Sequence, residues 1–246
     1  MNFSSSSPAA GKKAWDHFAE ADPYTYILTG LKNSNPKEFW QSGFRTVHEE
    51  LLPLLRERGI SRRTGMELGC GLGRLVFPLA AHFQEVVGVD IAVGMVRRAR
   101  RFARDNGVSN VHFSVISGPA DMLHQSGEYA GKVDFLYSLL VFQHIPDLAM
   151  IAGYLHVVSI LLEEQGIAYL QFDTRPKTLA YHIKSNVPDF LLPRFWRKGI
   201  RRIRRSPDEI EKGFRDVGLQ VITELTPSTE LHRYILRKAT RPSSQS

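Results

Sequence analysis

Short apolar runs alternate with segments of helical period along the middle of the chain. Nearly continuous apolar positions predict five strands, over residues 65–68, 85–90, 111–116, 133–138 and 167–172. Apolar positions at helical spacing predict helices between them, over residues 74–82, 92–106 and 147–163. Strands that are apolar on both faces and alternate with helices are typical of a parallel sheet with helices on both sides. The pattern therefore predicts a doubly wound α/β fold.

The pattern changes on both sides of this core. Residues 15–20 and 36–58 are predicted to be helical ahead of the first strand. Beyond the fifth strand an irregular basic stretch ends at Ser206-Pro207-Asp208-Glu209, which predicts a helix start, because serine caps free N–H groups and proline suits the first turn. Residues 221–225 and 232–236 predict a closing antiparallel hairpin at the sheet edge. The complete prediction is a mostly parallel, seven-stranded sheet with an antiparallel C-terminal hairpin.

Polar, low-complexity segments lie at both ends of the chain. Residues 1–13, rich in Ser, Pro, Ala and Gly, and residues 241–246 are predicted to be disordered. Residues 14–240 are predicted to form one domain, in which residues 14–60 are a helical cover and residues 174–206 a basic insertion. A chain of 246 residues can bury a sizeable core without covalent staples.

Composition excludes several classes of protein. The single cysteine, Cys70, leaves no internal disulfide framework and no multi-cysteine zinc site, and we expect no bound metal. The longest mostly apolar run, residues 150–162, is shorter than the ~20 residues that span a bilayer. The first residues contain no apolar secretory segment. We therefore expect a cytoplasmic protein without a transmembrane segment.

The positive charge is concentrated in one segment. Residues 175–205 carry ten Lys and Arg against one acid, Asp189; this is +9, and subtracting it from the total of +7 leaves −2 for the rest. Trp196, Ile200 and Ile203 would share one stripe of a helix among these basic side chains. Such a segment suits an anionic small substrate, an anionic membrane surface or nucleic acid, or it is simply a solvated face.

A glycine-rich turn joins the first strand to its helix. Gly69, Gly71 and Gly73 allow a sharp turn and let a ligand approach the main chain. The dinucleotide fingerprint requires glycine or alanine where Arg74 stands, and the phosphate-binding P-loop pattern is absent. Asp90 ends the second strand and can accept hydrogen bonds from both hydroxyls of a ribose, or cap the following helix. These features predict an adenosine-bearing ligand without a diphosphate.

Three segments in order complete a recognisable set of motifs: ELGCGLGR at residues 67–74, VDI at residues 89–91 and VFQHIPD at residues 141–147. The set resembles the class I S-adenosylmethionine-dependent methyltransferases, and most closely their small-molecule group of the type 11, 12 and 25 kind. The likeness covers roughly residues 39–172. It implies a Rossmann-like fold and a methyltransferase activity that uses S-adenosyl-L-methionine and releases S-adenosyl-L-homocysteine.

The resemblance also implies positions around that cofactor. Gly69 and Gly71 approach its methionine moiety, Glu67 stabilises the loop, and Asp90 takes the ribose hydroxyls. Asp121 is the expected acceptor for the adenine amine, or else a surface cap. The remaining implied cofactor contacts come from the same loop and the three that follow it: Cys70, Gly73, Ile91, Met95, Ala120, Met122 and Ser138.

Chemistry at the methyl group points to one further residue. Methyl transfer is an in-line displacement by a lone pair of the acceptor, so the protein must align the acceptor and exclude water. A hydroxyl acceptor also loses a proton, and His144, in the turn after the fourth strand, is the predicted catalytic residue, as a base or as part of the pocket wall. Substrate contacts are expected from Tyr24, Tyr26, Gln143, Asp173 and Arg175. Aromatic residues of the cover, Trp15 and Trp40 among them, are expected to close over the site or to pack as core.

Three functions remain open on the sequence. The favoured one is methylation of oxygen or nitrogen on a small molecule, for example an anionic, glycan or natural-product-like acceptor. The second is nucleic-acid methylation through the basic segment, although Ser138-Leu139-Leu140 stands where a [DN]-P-P-[FYW] motif would follow the fourth strand. The third is an inactive cofactor-binding scaffold whose basic face docks a partner.

Overall fold

The computed structural model describes residues 15–17, 20–27, 35–188, 191–192 and 201–239. Within these ranges the side chains of Thr25, Tyr26 and Lys184 are not described. The predicted disordered ends, residues 1–13 and 241–246, lie outside this description, as do Trp196 and Ile200.

In the described residues, seven strands form one sheet in the order β3-β2-β1-β4-β5-β7-β6. The strands are β1 (Thr64–Leu68), β2 (Glu85–Asp90), β3 (Val111–Val115), β4 (Val133–Ser138), β5 (Leu162–Phe172), β6 (Leu219–Leu225) and β7 (His232–Lys238). The first five are parallel, whereas β7 runs antiparallel to β5 and β6 antiparallel to β7. This confirms the predicted sheet and places the C-terminal hairpin at its edge, beside β5.

Helices precede the sheet and connect its strands. They are α1 (Pro23–Ile27), α2 (Pro36–Arg45), α3 (Leu52–Glu57), α4 (Val76–Ala80), α5 (Val93–Asp105), α6 (Pro119–Ser126), α7 (Leu148–Leu161), α8 (Leu179–Asn186) and α9 (Pro207–Asp216). A π-helical turn, Thr46–Leu51, joins α2 to α3, and a 3₁₀ turn, Phe142–His144, follows β4. As predicted, Ser206 caps α9, where its hydroxyl accepts the Glu209 amide. None of the helices described is both long and apolar enough to cross a bilayer.

The sheet is covered on both faces, and β4 shows how its side chains are divided. Phe135 and Tyr137 face one core, while Leu136 between them faces the other. The first core is completed by apolar residues of the segment before β1 and of α4 and α5: Val47, Leu55, Leu79, Val96 and Ala99. The second is completed by residues of α7 and α9: Ile151, Leu155, Val158, Ile210 and Phe214. Burial on both faces explains the apolar run Phe135-Leu136-Tyr137 in the middle of β4.

The order of the strands determines where a ligand binds. From β1 the chain moves outward through β2 and β3, then returns to the other side of β1 with β4. In open α/β sheets, ligands bind in the crevice outside the carboxyl ends of the strands at such a switch point. The loops after β1, β2 and β4 therefore define the candidate site.

Two helix boundaries differ from the predictions. Helix α4 is shorter than the predicted 74–82, because residues up to Leu75 belong to a turn in which Gly73 has φ +83°. Helix α7 ends at Leu161 rather than residue 163, because Leu162 already pairs with Val133 of β4. Residues 163–166 then bulge out before regular pairing resumes at Ile167.

The predicted helical stripe is wrong at its described end. Ile203 lies in an extended segment, residues 201–205, in which Arg204 forms a parallel bridge with Asp173 at the end of β5. The end of β5 offers free backbone groups, and pairing with them satisfies the segment better than an isolated helical turn would.

Candidate functional site

The glycine loop after β1 is held in a shape that favours glycine over other residues. Gly69 and Gly71 have φ +79° and +52°, in the left-handed region that favours glycine. A Cβ at Gly69 would lie 2.2 Å from Val141 Cγ2, and one at Gly71 would lie 2.9 Å from Ile27 Cδ1. The loop is therefore in close contact with the turn after β4 on one side and with α1 on the other.

Asp90, at the carboxyl end of β2, connects to this loop. Its Oδ2 accepts a hydrogen bond from the Gly71 amide at 2.7 Å, and its Oδ1 accepts one from the Ala92 amide at 2.8 Å. Burial raises the pKa of Asp90, and these backbone donors oppose the rise. Because each carboxylate oxygen has a second lone pair, the ribose hydroxyls of an adenosine fit the same carboxylate. The capping role and the ribose role are thus compatible.

A buried pair of opposite charges lies beneath the loop. Glu67 and Arg74 are 4% and 7% exposed. Burial raises the pKa of Glu67 well above its usual value, and the charge of Arg74 opposes that shift. Glu67 Oε2 is buried and accepts no hydrogen bond from the described residues, so it suits a cationic or N–H-bearing group of a ligand. Arg74 also donates to Ser42 Oγ of α2 at 3.3 Å. In the sequence, Arg74 was notable only as a departure from the dinucleotide fingerprint.

Cys70 lies inside the loop and behaves as a small core residue. Its side chain contacts Gly88 of β2, where a Cβ would lie 2.9 Å from Cys70 Sγ. Burial, with the charges of Asp90 and Glu67 adding to it, raises the pKa of the Cys70 thiol well above its usual value. A thiol that stays protonated is a poor nucleophile, so the residue supports the loop by packing.

The loop after β3 carries the residues assigned to adenine. Asp121 accepts hydrogen bonds from the Ser117 amide at 2.7 Å and from Gln125 Nε2 at 3.0 Å. These bonds, Gln125 first, lower the pKa of the Asp121 carboxyl and hold the first turn of α6. Ala120 beside it is exposed. The arrangement presents an ionised carboxylate at the start of α6, whose contact with adenine remains a prediction.

The other predicted cofactor residues differ in exposure. Ile91 is half-buried beside Asp90, whereas Met95, Met122 and Ser138 are enclosed in the protein. Ser138 Oγ donates to the Leu68 carbonyl at 2.8 Å and so ties β4 to β1. Among these residues, Ile91 offers side-chain surface to a ligand, while the enclosed ones position the backbone around it.

His144 lies at the end of the 3₁₀ turn that follows β4. The turn is preceded by Leu140, a non-glycine residue with φ 64°, a strained conformation of the kind found at functional sites. His144 Nε2 lies 3.3 Å from Gln143 Nε2, and Gln171 Nε2 donates to Gln143 Oε1 at 3.4 Å. The buried Gln143 therefore connects the imidazole to the end of β5.

The N-terminal cover closes against this turn and against the cofactor loops. The Trp15 ring meets the His144 ring edge-on, with centroids 5.5 Å apart. Asp16 Oδ1 accepts the Gly94 amide at 3.4 Å, at the start of α5. Tyr24 and Trp40 pack around Phe39 beside the loops, whereas the Tyr26 side chain lies outside the described residues. The cover thus encloses both the cofactor loops and His144.

The substrate residues predicted after β5 form an ion cluster. Asp173 accepts from Arg175 Nη2 at 2.6 Å and from Arg175 Nε at 3.0 Å. Glu230, in the turn between β6 and β7, lies 3.2 Å from Arg175 and is also paired with Arg202. Both predicted residues are therefore engaged in holding the base of the basic segment, and their contact with a substrate remains a prediction.

Residues 203–205, here called the strap, cross over the His144 turn. The Ile203 amide donates to the Gln143 carbonyl at 2.7 Å, and the Arg205 amide donates to the Asp173 carbonyl at 3.0 Å. Arg205 Nη2 donates to the carbonyls of Ile145 at 2.7 Å and Pro146 at 3.1 Å. Sequence reasoning missed this role, because the charge run identifies a basic segment and gives no sign that its last arginine is buried.

Comparison with known proteins agrees with this geometry. A family model described as "Methyltransferase domain" matches residues 66–166. The chain is 27% identical over 183 residues to a ubiquinone biosynthesis O-methyltransferase of Acinetobacter baylyi, covering 73% of this chain and 71% of that protein. It is 50% identical over 50 residues to a 23S rRNA (uracil(1939)-C(5))-methyltransferase of Xylella fastidiosa, which is 20% of this chain and only 11% of that protein's length.

Solved structures show the same fold. The magnesium protoporphyrin IX methyltransferase of Synechocystis, crystallised with bound S-adenosylmethionine, superposes with a TM-score of 0.61 at 20% identity. The superposition covers 96% of this chain and 98% of that one. The family model that matches residues 66–166 and the shared fold both liken the chain to the class I S-adenosylmethionine-dependent methyltransferases.

Proposed function

We propose that this protein methylates an oxygen or nitrogen atom of a small molecule, with His144 at the reacting centre. One observation carries the proposal: the cofactor loop and the turn that bears His144 are in direct contact. The Val141 side chain lies so close to Gly69 that a Cβ there would be 2.2 Å away. His144 is three residues beyond Val141, so a ligand held by the loop is adjacent to the imidazole.

Different residues of the chain bind the cofactor, exclude water and accept the proton. S-adenosylmethionine, when bound, supplies a methyl group that its sulfonium makes electrophilic. Asp90 would hold the ribose, Glu67 and the glycine loop would hold the methionine end, and the cover with Trp15 would exclude water. His144 accepts the proton that a hydroxyl or ammonium acceptor releases, and Gln143 orients the ring. Alignment of this kind can lower the barrier by ~7–11 kcal/mol.

The extent of the similarities favours a small-molecule acceptor. The ubiquinone biosynthesis O-methyltransferase is similar to the chain over 183 residues, including parts that flank the cofactor loops. The rRNA methyltransferase of Xylella fastidiosa is similar over 50 residues, and that of Xanthomonas campestris is similar over 148 residues, which is 49% of this chain and 31% of that protein. Likeness confined to half of the chain or less is expected when two enzymes share a cofactor, whereas likeness over most of a domain extends to the acceptor side.

Titration and transfer assays test the proposal. S-adenosylhomocysteine should bind with micromolar affinity in a calorimeter, and tritium from methyl-labelled S-adenosylmethionine should pass to phenolic, catecholic or amine acceptors. Bulk RNA serves as the competing acceptor. Labelling of RNA in place of the small molecules would favour the nucleic-acid function, and the absence of any cofactor binding would favour the scaffold.

A further inference from the structure

Helix α8 lies at the start of the basic segment. It turns apolar side chains toward the solvent and polar groups toward the rest of the protein. Leu179 and Ile183, one helical turn apart, are 77% and 60% exposed. Leu191, a few residues later, is 65% exposed. A surface helix normally turns such residues inward, because removing a large aliphatic side chain from water is favourable. The helix therefore presents an apolar face to the outside.

The polar side of the same helix forms hydrogen bonds with residues 201–204. Tyr181 lies two positions from both Leu179 and Ile183, on the opposite side of the helix. Its hydroxyl accepts the Arg204 amide at 3.1 Å, and the Arg204 guanidinium lies 4.8 Å from the centre of its ring. The Ser185 carbonyl, one turn on, accepts from Arg201 Nη1 at 3.3 Å. These contacts fix the orientation of α8, so its outward apolar face follows from the packing.

The helix is also connected to the acceptor side of the site. Arg204, which holds Tyr181, lies in the strap between Ile203 and Arg205. Those two residues bind the turn that bears His144 through the carbonyls of Gln143 and Ile145. The outward face is therefore carried by the same segment that holds the catalytic turn.

Charge indicates which partner fits this face. Residues 175–205 have a sequence charge of +9. Five of the arginines bind groups of the protein, whereas Lys177, just ahead of α8, is exposed. A second copy of the chain would bring two such segments together and be repelled. RNA is bound through aromatic stacking on bases, which leucine and isoleucine do not provide. Aliphatic side chains within a cationic segment match an anionic lipid surface, whose headgroups attract the charge while the acyl region takes the apolar groups.

We propose that Leu179, Ile183 and Leu191 form a face that docks on an anionic lipid bilayer and places the acceptor side of the site at the membrane surface. The proposal rests on the proposed function and deepens it: the acceptor is amphiphilic and is taken from the bilayer. Docking is peripheral, through side chains that enter the boundary between headgroups and acyl chains.

Vesicle sedimentation with the full chain tests the docking. Wild-type protein should sediment with vesicles of phosphatidylcholine and phosphatidylglycerol, bind those of phosphatidylcholine alone at least about tenfold more weakly, and lose affinity as salt rises. The double variant Leu179→Ser with Ile183→Ser should lose about tenfold or more in affinity, because two apolar groups no longer enter the bilayer. Phe44→Ser is the matched control, since Phe44 is 56% exposed and lies on α2, outside residues 175–205.

Each alternative outcome is informative. Equal sedimentation of wild type and double variant would refute the docking, as would a concentration-dependent dimer that the double variant abolishes, or RNA binding that it abolishes. Calorimetry with S-adenosylhomocysteine on the same samples separates the two proposals. Normal cofactor binding without vesicle binding contradicts only the docking, whereas vesicle binding without cofactor binding contradicts the proposed methyl transfer.

Discussion

The Asp90 carboxylate accepts the backbone amide of Gly71 at 2.7 Å, so the acid that ends β2 also holds the glycine loop after β1. Its other oxygen accepts the Ala92 amide at the start of α5. One carboxylate thus organises two of the loops that surround the cofactor position before any ligand is present. Binding of a ribose at this carboxylate would then cost little further ordering of the backbone.

Replacement of Asp90 by Asn should weaken cofactor binding strongly. Asparagine has one side-chain oxygen and an NH2 donor in place of the second acceptor, and each lost hydrogen bond to a charged group is worth about 1.5–3 kcal/mol. We expect S-adenosylhomocysteine affinity to fall at least about tenfold in a calorimetric titration. Asp105→Asn, on the exposed end of α5, is the control and should bind normally.

The same residue should make cofactor binding sensitive to acid. Burial raises the pKa of Asp90, and the ionised form is the one that accepts hydroxyl protons. Affinity of the wild type should therefore be highest on the alkaline side of this raised pKa and fall as the pH drops through it. Titrations from neutral pH into the acid range would show the decline. The Asp90→Asn variant should be weak and flat over that range, and an equal decline in both would assign the effect elsewhere.

Replacement of His144 by Ala should lower turnover while cofactor affinity stays close to that of the wild type. Loss of a general base typically reduces the rate by about 10²–10⁴-fold. The exposed His156 of α7 provides the control, and His156→Ala should leave turnover unchanged. Collapse of cofactor binding with normal turnover per bound enzyme would contradict the role assigned to His144.

Arg205 is expected to act as a positioning residue for the His144 turn. Burial lowers the pKa of Arg205, and its guanidinium holds the carbonyls of Ile145 and Pro146. Arg205→Ala should reduce kcat/KM by about tenfold or more, because hydrogen bonds made by a charged group are worth about 1.5–3 kcal/mol. Cofactor affinity should hardly change, since the Asp90 contacts remain.

Two further variants separate positioning from a general loss of stability. Arg205→Lys retains the charge and should restore part of the kcat/KM lost in the alanine variant. Exposed Arg98 on α5 is the control, and Arg98→Ala should behave like the wild type. A parallel fall of turnover and cofactor affinity in Arg205→Ala would indicate a structural role alone.

Gly43 should tolerate no side chain. A Cβ there would lie 2.1 Å from the Arg74 carbonyl, so α2 would have to move away from the cofactor loop. Gly43→Ala should destabilise the fold by about 1–3 kcal/mol and lower cofactor affinity as well. Gly127→Ala is the control, because its φ is −60° and a Cβ there meets nothing within 4 Å. That variant should be neutral or slightly more stable in thermal unfolding.

Much of the fold followed from local patterns. The apolar run of β4 and the spaced apolar positions of α7 are properties of consecutive residues, and burial on both faces of a sheet leaves this mark on any sequence. The sequence does not show where a helix or strand ends when that end depends on a pairing partner elsewhere in the chain. Leu162 leaves α7 for the sheet because Val133 is available as its partner, which no residue near Leu162 reveals.

The site divides in the same way. Gly69, Gly71 and Asp90 could be predicted as site residues because glycine freedom and a strand-ending carboxylate are features that appear at fixed positions in the sequence. Arg205 was not, because its partners at Ile145 and Pro146 are backbone carbonyls about 60 positions away, and every residue has such a carbonyl. No pattern of side chains in the sequence predicts a hydrogen bond to a distant backbone carbonyl.

The sequence by itself determined the strand and helix alternation, the cofactor loop and the acid beside it, since each depends on neighbouring residues. Only the tertiary structure decided that the basic segment folds inward through Arg205 and turns Leu179 and Ile183 outward. The reason is physical: charge and hydrophobicity are properties of single residues, whereas burial depends on which distant parts of the chain meet.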